Sequence, residues 1–477
     1  MTSLWLTALL TGAKPESCNY PSPDCKSPTS SQLAFLLSSF ALMSLGAGGI
    51  RPCSLAFGAD QLDRPENPNN PRVLQSFFNW YYASVGISIM IAVTVIVYIQ
   101  DSKGWPVGLG VPAILMFFSN LFFLIGSPFY VKRKAAKSLF TGFFQVISAA
   151  IKNRRLPFSA DAWYHHTKGS NLVAPTNNLR NPETDLRADG NASDPWRLCT
   201  VDQVEDLKSL IKLMPIWSTS IIIAVTISQH SIPVYQARTL DRHMGPSFQI
   251  PPGSFGVFSI LTLTIWVAIY DRLVVPRLAR ITGNPRGIGH KQRMAIGLLL
   301  SCVATALAAL VETARRRTAI RQGLREKGQA VVDMSAMWLV PQHCVTGLAE
   351  AFNAIGQIEF YYSELPKTMS SIGVSLFSLG LGFGNLVGSL IVESVERATK
   401  SSGSGNWVAD NPNKGHYDYY YWVLCILSVI NFIYFLFCAW IYGPYKDDLS
   451  KVTDTETEDE DKKLEGLSKS RELAVLT

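Results

Sequence analysis

Gly46-Ala47-Gly48-Gly49-Ile50-Arg51-Pro52, then Phe57-Gly58-Ala59-Asp60-Gln61, then Phe77-Phe78-Asn79-Trp80-Tyr81-Tyr82 is the stretch on which the reading of the whole chain turns. A glycine-rich apolar helix ends in a lone cation, a polar loop follows, and an aromatic cluster opens the next apolar segment. Small residues of this kind let helices approach closely inside a bilayer. A cation at the end of such a run needs a partner or a function. The stretch therefore predicts two membrane helices joined by a short polar connection.

The rest of the chain agrees. Its 477 residues are 48% hydrophobic and only 17% charged, against about a quarter charged in soluble domains. The net charge of +7 is clustered between apolar runs, a pattern of membrane topology rather than of nucleic-acid binding. Nine segments are long enough to span, since a spanning helix takes roughly 20 apolar residues: 32–55, 76–99, 107–130, 208–235, 252–275, 292–312, 335–362, 368–393 and 418–442. Residues 3–12 form a shorter apolar piece. The expected fold is all-α and transmembrane.

Loop charge sets the orientation. Segment 131–205 carries eleven Lys and Arg and is expected in the cytosol, with an amphipathic helix over Ser138–Ala150 lying on the membrane surface. The loop 276–293 falls on the same side. Residues 315–327 disagree: Arg315, Arg316, Arg317, Arg321, Arg325 and Lys327 are basic, yet helix counting puts them outside. The tail 446–477 holds six acids between Asp454 and Asp461 and reads as a solvated cytosolic end. The organisation is thus 1–130, an N-terminal helical half; 131–205, a central cytosolic loop; 206–445, a six-helix half; and 446–477, an acidic tail.

Eight cysteines show no metal-ligand spacing. Six of them sit in or beside apolar runs as small hydrophobes, while Cys18 and Cys25 share a polar loop where a disulfide could persist. Neither a nucleophile–base pair nor a phosphate loop occurs. Gly380-Leu381-Gly382-Phe383-Gly384 is apolar helix, and close packing is its expected use. The chain is therefore not expected to be an enzyme or to hold a cofactor.

Two ionisable residues stand inside apolar helices, where charge is expensive. Arg51 closes a run that is apolar from Leu33, and Glu350 lies in the middle of Trp338–Tyr362. If both face one cavity, a bridge between them neutralises both, either as a static packing pair or as one remade during a transport cycle. Glu312, Glu364 and Glu393 lie near helix ends and read as snorkelling or capping charges.

These motifs resemble those of the plant nitrate/peptide transporters, in the proton-dependent oligopeptide transporter family of the major facilitator superfamily. The likeness is greatest to the low-affinity nitrate transporter subgroup. By that resemblance, Arg51 stands at the basic position after the Gly-Gly-hydrophobic motif of the fourth helix. Glu350 stands at the acid of the tenth, before Pro366, and the pair takes part in substrate binding and coupling, with Glu350 titrating. Gln229 and Phe377 would be neutral pocket residues. Ile227 occupies a place where the family often has Glu or His, which leaves His230 as a wall residue or a substitute proton carrier.

The resemblance also implies that the chain starts near the end of the family's third helix, without the first two and without their Glu-x-x-Glu-Arg motif. Nine full helices of a major facilitator fold would remain. Two functions follow. One is a proton-coupled symporter of nitrate, small peptides or another organic anion, working by alternating access in the plasma membrane, with protons and the bilayer as its other partners. The other is a truncated, transport-incompetent membrane protein, either a regulatory partner of full-length relatives or the product of a coding sequence lacking an upstream exon. Oligomeric state is not encoded legibly.

Overall fold

The computed structural model describes residues 1–15, 27–62, 70–131, 139–153, 196, 200–229, 231–246, 248–282, 288–365, 369–400 and 406–443. The central loop, the acidic tail, His230, Pro366, Lys367 and both Cys18 and Cys25 lie largely or wholly outside these residues, as does the side chain of Arg51.

Fourteen helices account for most of what is described. In the first half they are α1 (Thr2–Leu9), α2 (Ser30–Leu62), α3 (Asn70–Ile91), α4 (Val97–Lys103), α5 (Trp105–Ile125) and α6 (Leu139–Asn153). The second half contains α7 (Val201–Ile227), α8 (Ser231–Arg238), α9 (Val257–Ile269), α10 (Val275–Thr282), α11 (His290–Arg321), α12 (Val340–Glu364), α13 (Ser370–Lys400) and α14 (Tyr417–Tyr442). One π turn joins α3 to α4 and another joins α9 to α10, so each pair forms one long rod.

Local chemistry fixes the ends. Gly104 takes φ 85° between α4 and α5, a conformation that costs glycine nothing, and Pro106 follows in the first turn of α5. Thr200 caps α7 by accepting from the Gln203 backbone while the Gln203 side chain accepts from Thr200 N–H, the reciprocal arrangement that satisfies two orphan donors. Gly443, at φ 79°, stops α14.

Eight helices or helix pairs are long and apolar enough to cross a membrane. They match eight of the nine expected spans. The ninth, α12, has 25 residues but does not reach the same apolarity, because Gln342, His343, Glu350, Asn353, Gln357 and Glu359 interrupt it. Gln342, Asn353 and Gln357 are buried, and α12 packs against α11, α9 and α13. A helix shielded by its neighbours can carry polar groups that lipid would not accept.

The core belongs mainly to the second half. Leu213, Ile216, Met294, Leu298, Phe360 and Phe435 join α7, α11, α12 and α14. Glycines bring α7 and α13 together as expected. A Cβ added at Gly384 would meet Ala224 Cβ at 2.4 Å, and one at Gly380 would meet Ser220 Oγ at 2.8 Å. At one end a short parallel pair, β1 (Leu240–Asp241) and β2 (Val332–Ser335), covers Ile250 and Phe255. Where the amphipathic segment was expected, α6 buries Val146 and Ala149 while Phe144, Ile147 and Ile151 remain exposed.

Candidate functional site

A narrow cleft opens between α7, α12 and α13. Ser220 and Ile227 come from α7, Glu350, Asn353 and Gln357 from α12, and Phe377 from α13. Five polar or aromatic side chains thus converge on an otherwise apolar space, the general form of a small-ligand site. The glycine contacts between α7 and α13 set the width of the wall opposite α12.

Glu350 is the acid in this cleft. Among the described residues it makes no ion pair or hydrogen bond. A carboxylate at this depth calls for a counter-charge, a proton or a ligand. Arg51 is helical backbone in α2, which touches α13; its side chain, and with it the expected bridge to Glu350, lies outside the described residues. Phe377 joins Glu350 at the cleft. Gln229 does not line it, and instead accepts a hydrogen bond from the Tyr420 hydroxyl of α14 at 3.2 Å.

Sequence reasoning passed over Asn353, Gln357 and Tyr361. They recur every four residues along α12, so they share one face. Tyr361 donates to Gln357 Oε1 at 3.5 Å, Gln357 Nε2 donates to Asn353 Oδ1, and Asn353 Nδ2 donates to the Met294 carbonyl at 3.4 Å. Their spacing was the available signal.

Two further polar clusters cap the second half. At one end Glu312 and Arg315 are both fully buried and pair at 2.7 Å. Glu312 also accepts from Gln236 at 2.7 Å. Arg315 donates to Asn413 at 2.8 Å, the Pro412 carbonyl at 2.9 Å and Thr239 at 3.1 Å. Glu312 is therefore an interior charge, not a snorkelling one. The basic run that contradicted the loop count is explained in the same way. α11 extends to Arg321, so Arg315 and Arg316 are helix residues, and Arg316 donates to the Gly415 carbonyl and to His416 Nε2, both at 2.9 Å.

Because a guanidinium can only donate, Nε2 of His416 accepts and its proton resides on Nδ1, facing Asp418 Oδ1 at 3.7 Å. Burial, with Arg316 beside it, holds His416 below the usual imidazole range. At the opposite end Arg293 pairs with Glu359 at 2.7 Å. Glu364 accepts from the Tyr442 hydroxyl at 2.7 Å, and Lys212 and Lys291 lie 4.4 and 4.6 Å from the Tyr442 ring centroid. Glu364 is thus bound to α14 rather than free at the helix mouth. Among the described residues no group of His, Cys, Asp and Glu is placed to hold a metal ion.

A polytopic helical bundle with one acid in a central cleft has the form of a membrane transporter. The POT family profile, PTR2, matches residues 7–408. NRT1/PTR FAMILY 1.2 of Arabidopsis thaliana is 52% identical over 94% of this chain and 77% of its own length. NRT1/PTR FAMILY 1.1 of the same plant is 50% identical over 97% of this chain and 81% of its own. The crystal structure of an auto-inhibited POT family peptide transporter superposes with a TM-score of 0.61 at 17% identity, covering 86% of this chain and 78% of that one. The chain belongs to the POT family of multi-pass membrane transporters, which carry peptides or anions and use protons, and it is not an enzyme.

Proposed function

We propose that this protein is a proton-coupled symporter of nitrate, small peptides or a related organic anion, alternating its access around the α7–α12–α13 cleft. One observation carries the reading: Glu350 stands in the cleft without a protein partner among the described residues. In this reading Glu350 takes up and releases the proton. Arg51 attracts the anion or carboxylate, Phe377 supplies an apolar wall, and Gln229 acts from behind the pocket through Tyr420. The likeness to a peptide transporter supports small peptides as cargo, and the NRT1/PTR relatives support membership of the plant branch. The plasma membrane is the proposed location.

The full chain in proteoliposomes, with acid outside, tests this. Glu350→Gln should abolish proton-driven accumulation of nitrate and dialanine while leaving insertion unchanged. Unaltered accumulation would remove Glu350 from coupling.

A second reading rests on the exposed first half. None of the most apolar window of Ser84–Lys103 is buried within the protein, and only 6% of that of Ser30–Ile50. In this reading a full-length relative covers that face and the chain regulates it without transporting. Co-purification with a co-expressed relative, together with absence of uptake by the chain alone, would favour it over the first.

A further inference from the structure

The polar face of α12 has a direction. The Met294 carbonyl can only accept, so Asn353 must turn its nitrogen toward it and its oxygen along the helix. That oxygen is met by Gln357 Nε2, which leaves Gln357 Oε1 toward the Tyr361 hydroxyl at 3.5 Å. Reversing either amide would set N–H against N–H or oxygen against oxygen. Asn353, Gln357 and Tyr361 are 3%, 2% and 0% exposed, so little water is at hand to repair such a mismatch.

The consequence is a fixed orientation of the groups that face the cleft. Each amide oxygen accepts one bond and keeps a second lone pair, and each amide nitrogen, with two hydrogens, has given one and keeps the other. Asn353 and Gln357 line the cleft, and the spare hydrogens are its amide donors. Glu350 lies seven residues before Gln357, on the same face and about 10 Å away at 1.5 Å per residue. One end of the cleft therefore presents a carboxyl group, and the other presents amide hydrogens.

We propose that Gln357, assisted by Asn353, determines specificity by donating its spare amide N–H to a planar oxyanion on the ligand, and that Tyr361 is a positioning residue that fixes the amide's orientation. This rests on the reading of the cleft as the transport site. The shared chemistry is that of nitrate and of a peptide carboxylate, and the two sources are separable by experiment.

The test is isothermal titration of the purified full chain in nanodiscs with sodium nitrate and with dialanine as probes. Whichever probe binds identifies the source. Gln357→Met, which keeps length and loses the donor, should weaken that probe by about tenfold or more, as expected for a lost bond to a charged acceptor. Gln357→Glu should weaken it at neutral pH and recover as acid protonates the new carboxyl and restores a donor, a pH response that a packing role alone would not produce. Tyr361→Phe, which keeps the ring, should give a smaller loss and protects the test if the Gln357 variants fold poorly. Affinities within twofold of wild type in all three overturn the proposal. If they stay there while Glu350→Gln abolishes coupling, the cleft is still the transport site and only the role of Gln357 falls. Absence of binding by wild type to either probe overturns both.

Discussion

Half of the most apolar window of His290–Arg321 is buried within the protein, and 44% of that of Val201–Arg238, whereas none is for Ser84–Lys103 and 17% for Trp105–Ile125. The spans of the second half are longer but of comparable apolarity, so apolarity does not account for the difference. In the second half, helices are tied by interior polar pairs and by glycine contacts that let backbones meet. Along α2 to α5 many of the described apolar side chains face outward, as Leu45, Phe117 and Phe122 do. Lipid tails are as apolar as leucine, so no hydrophobic drive pulls such helices together. Hydropathy alone makes a helix span, and polar and small residues decide what it binds.

The largest test of that contrast is Arg315→Met. It leaves Glu312 buried without its charge partner, a loss of about 3–5 kcal/mol by analogy with other broken interior pairs, read as a lower unfolding temperature in detergent. Replacing both residues, Glu312→Met with Arg315→Met, should recover much of that stability. An unchanged melting temperature for the single variant would mean that the second half is not held by this network. Leu213→Ala comes next, at about 2–5 kcal/mol for a fully buried leucine, since Leu213 is 0% exposed.

A pH test follows. His416 holds a proton less readily in the folded protein than in the unfolded chain. The unfolded state therefore binds more protons on acidification, and stability is lost as pH falls through the ordinary imidazole value of about 6.5. His416→Gln should flatten that slope in melting curves taken from pH 5 to 8, and an unchanged slope would assign it to other groups. The smallest effect belongs to the first half: Ile87→Ala should shift stability by no more than about 0.5 kcal/mol, because Ile87 is exposed. A loss as large as that of Leu213→Ala would erase the distinction between the halves.

How far these features were legible depended on where their partners lie. Glu350 stood out because acid in an apolar run is rare, and it lines the cleft together with Phe377. Gly380 and Gly384 were readable as packing residues from composition alone. Asn353, Gln357 and Tyr361 were not singled out, since neutral polar residues at four-residue spacing look ordinary until a cleft is found beside them. Glu312 was misread because nearness to a helix end says nothing of Gln236, 76 residues away, or of Arg315's partner Asn413, 98 residues on. For the same reason basic residues at 315 and 316 looked like an orientation signal when they are structural donors. Gln229 carried a family expectation of a pocket place, but its bond to Tyr420 turns it toward α14.

The Glu312–Arg315 pair also sets an order of assembly during synthesis. Its acid and base leave the ribosome three residues apart, but Pro412 and Asn413, which complete the guanidinium's bonds, follow 97 and 98 residues later. At about 5–20 residues per second that interval is roughly 5–20 s. For that time α11 carries a charge pair whose final partners do not yet exist. The guanidinium's bonds can therefore be completed only after the segment before α14 has emerged.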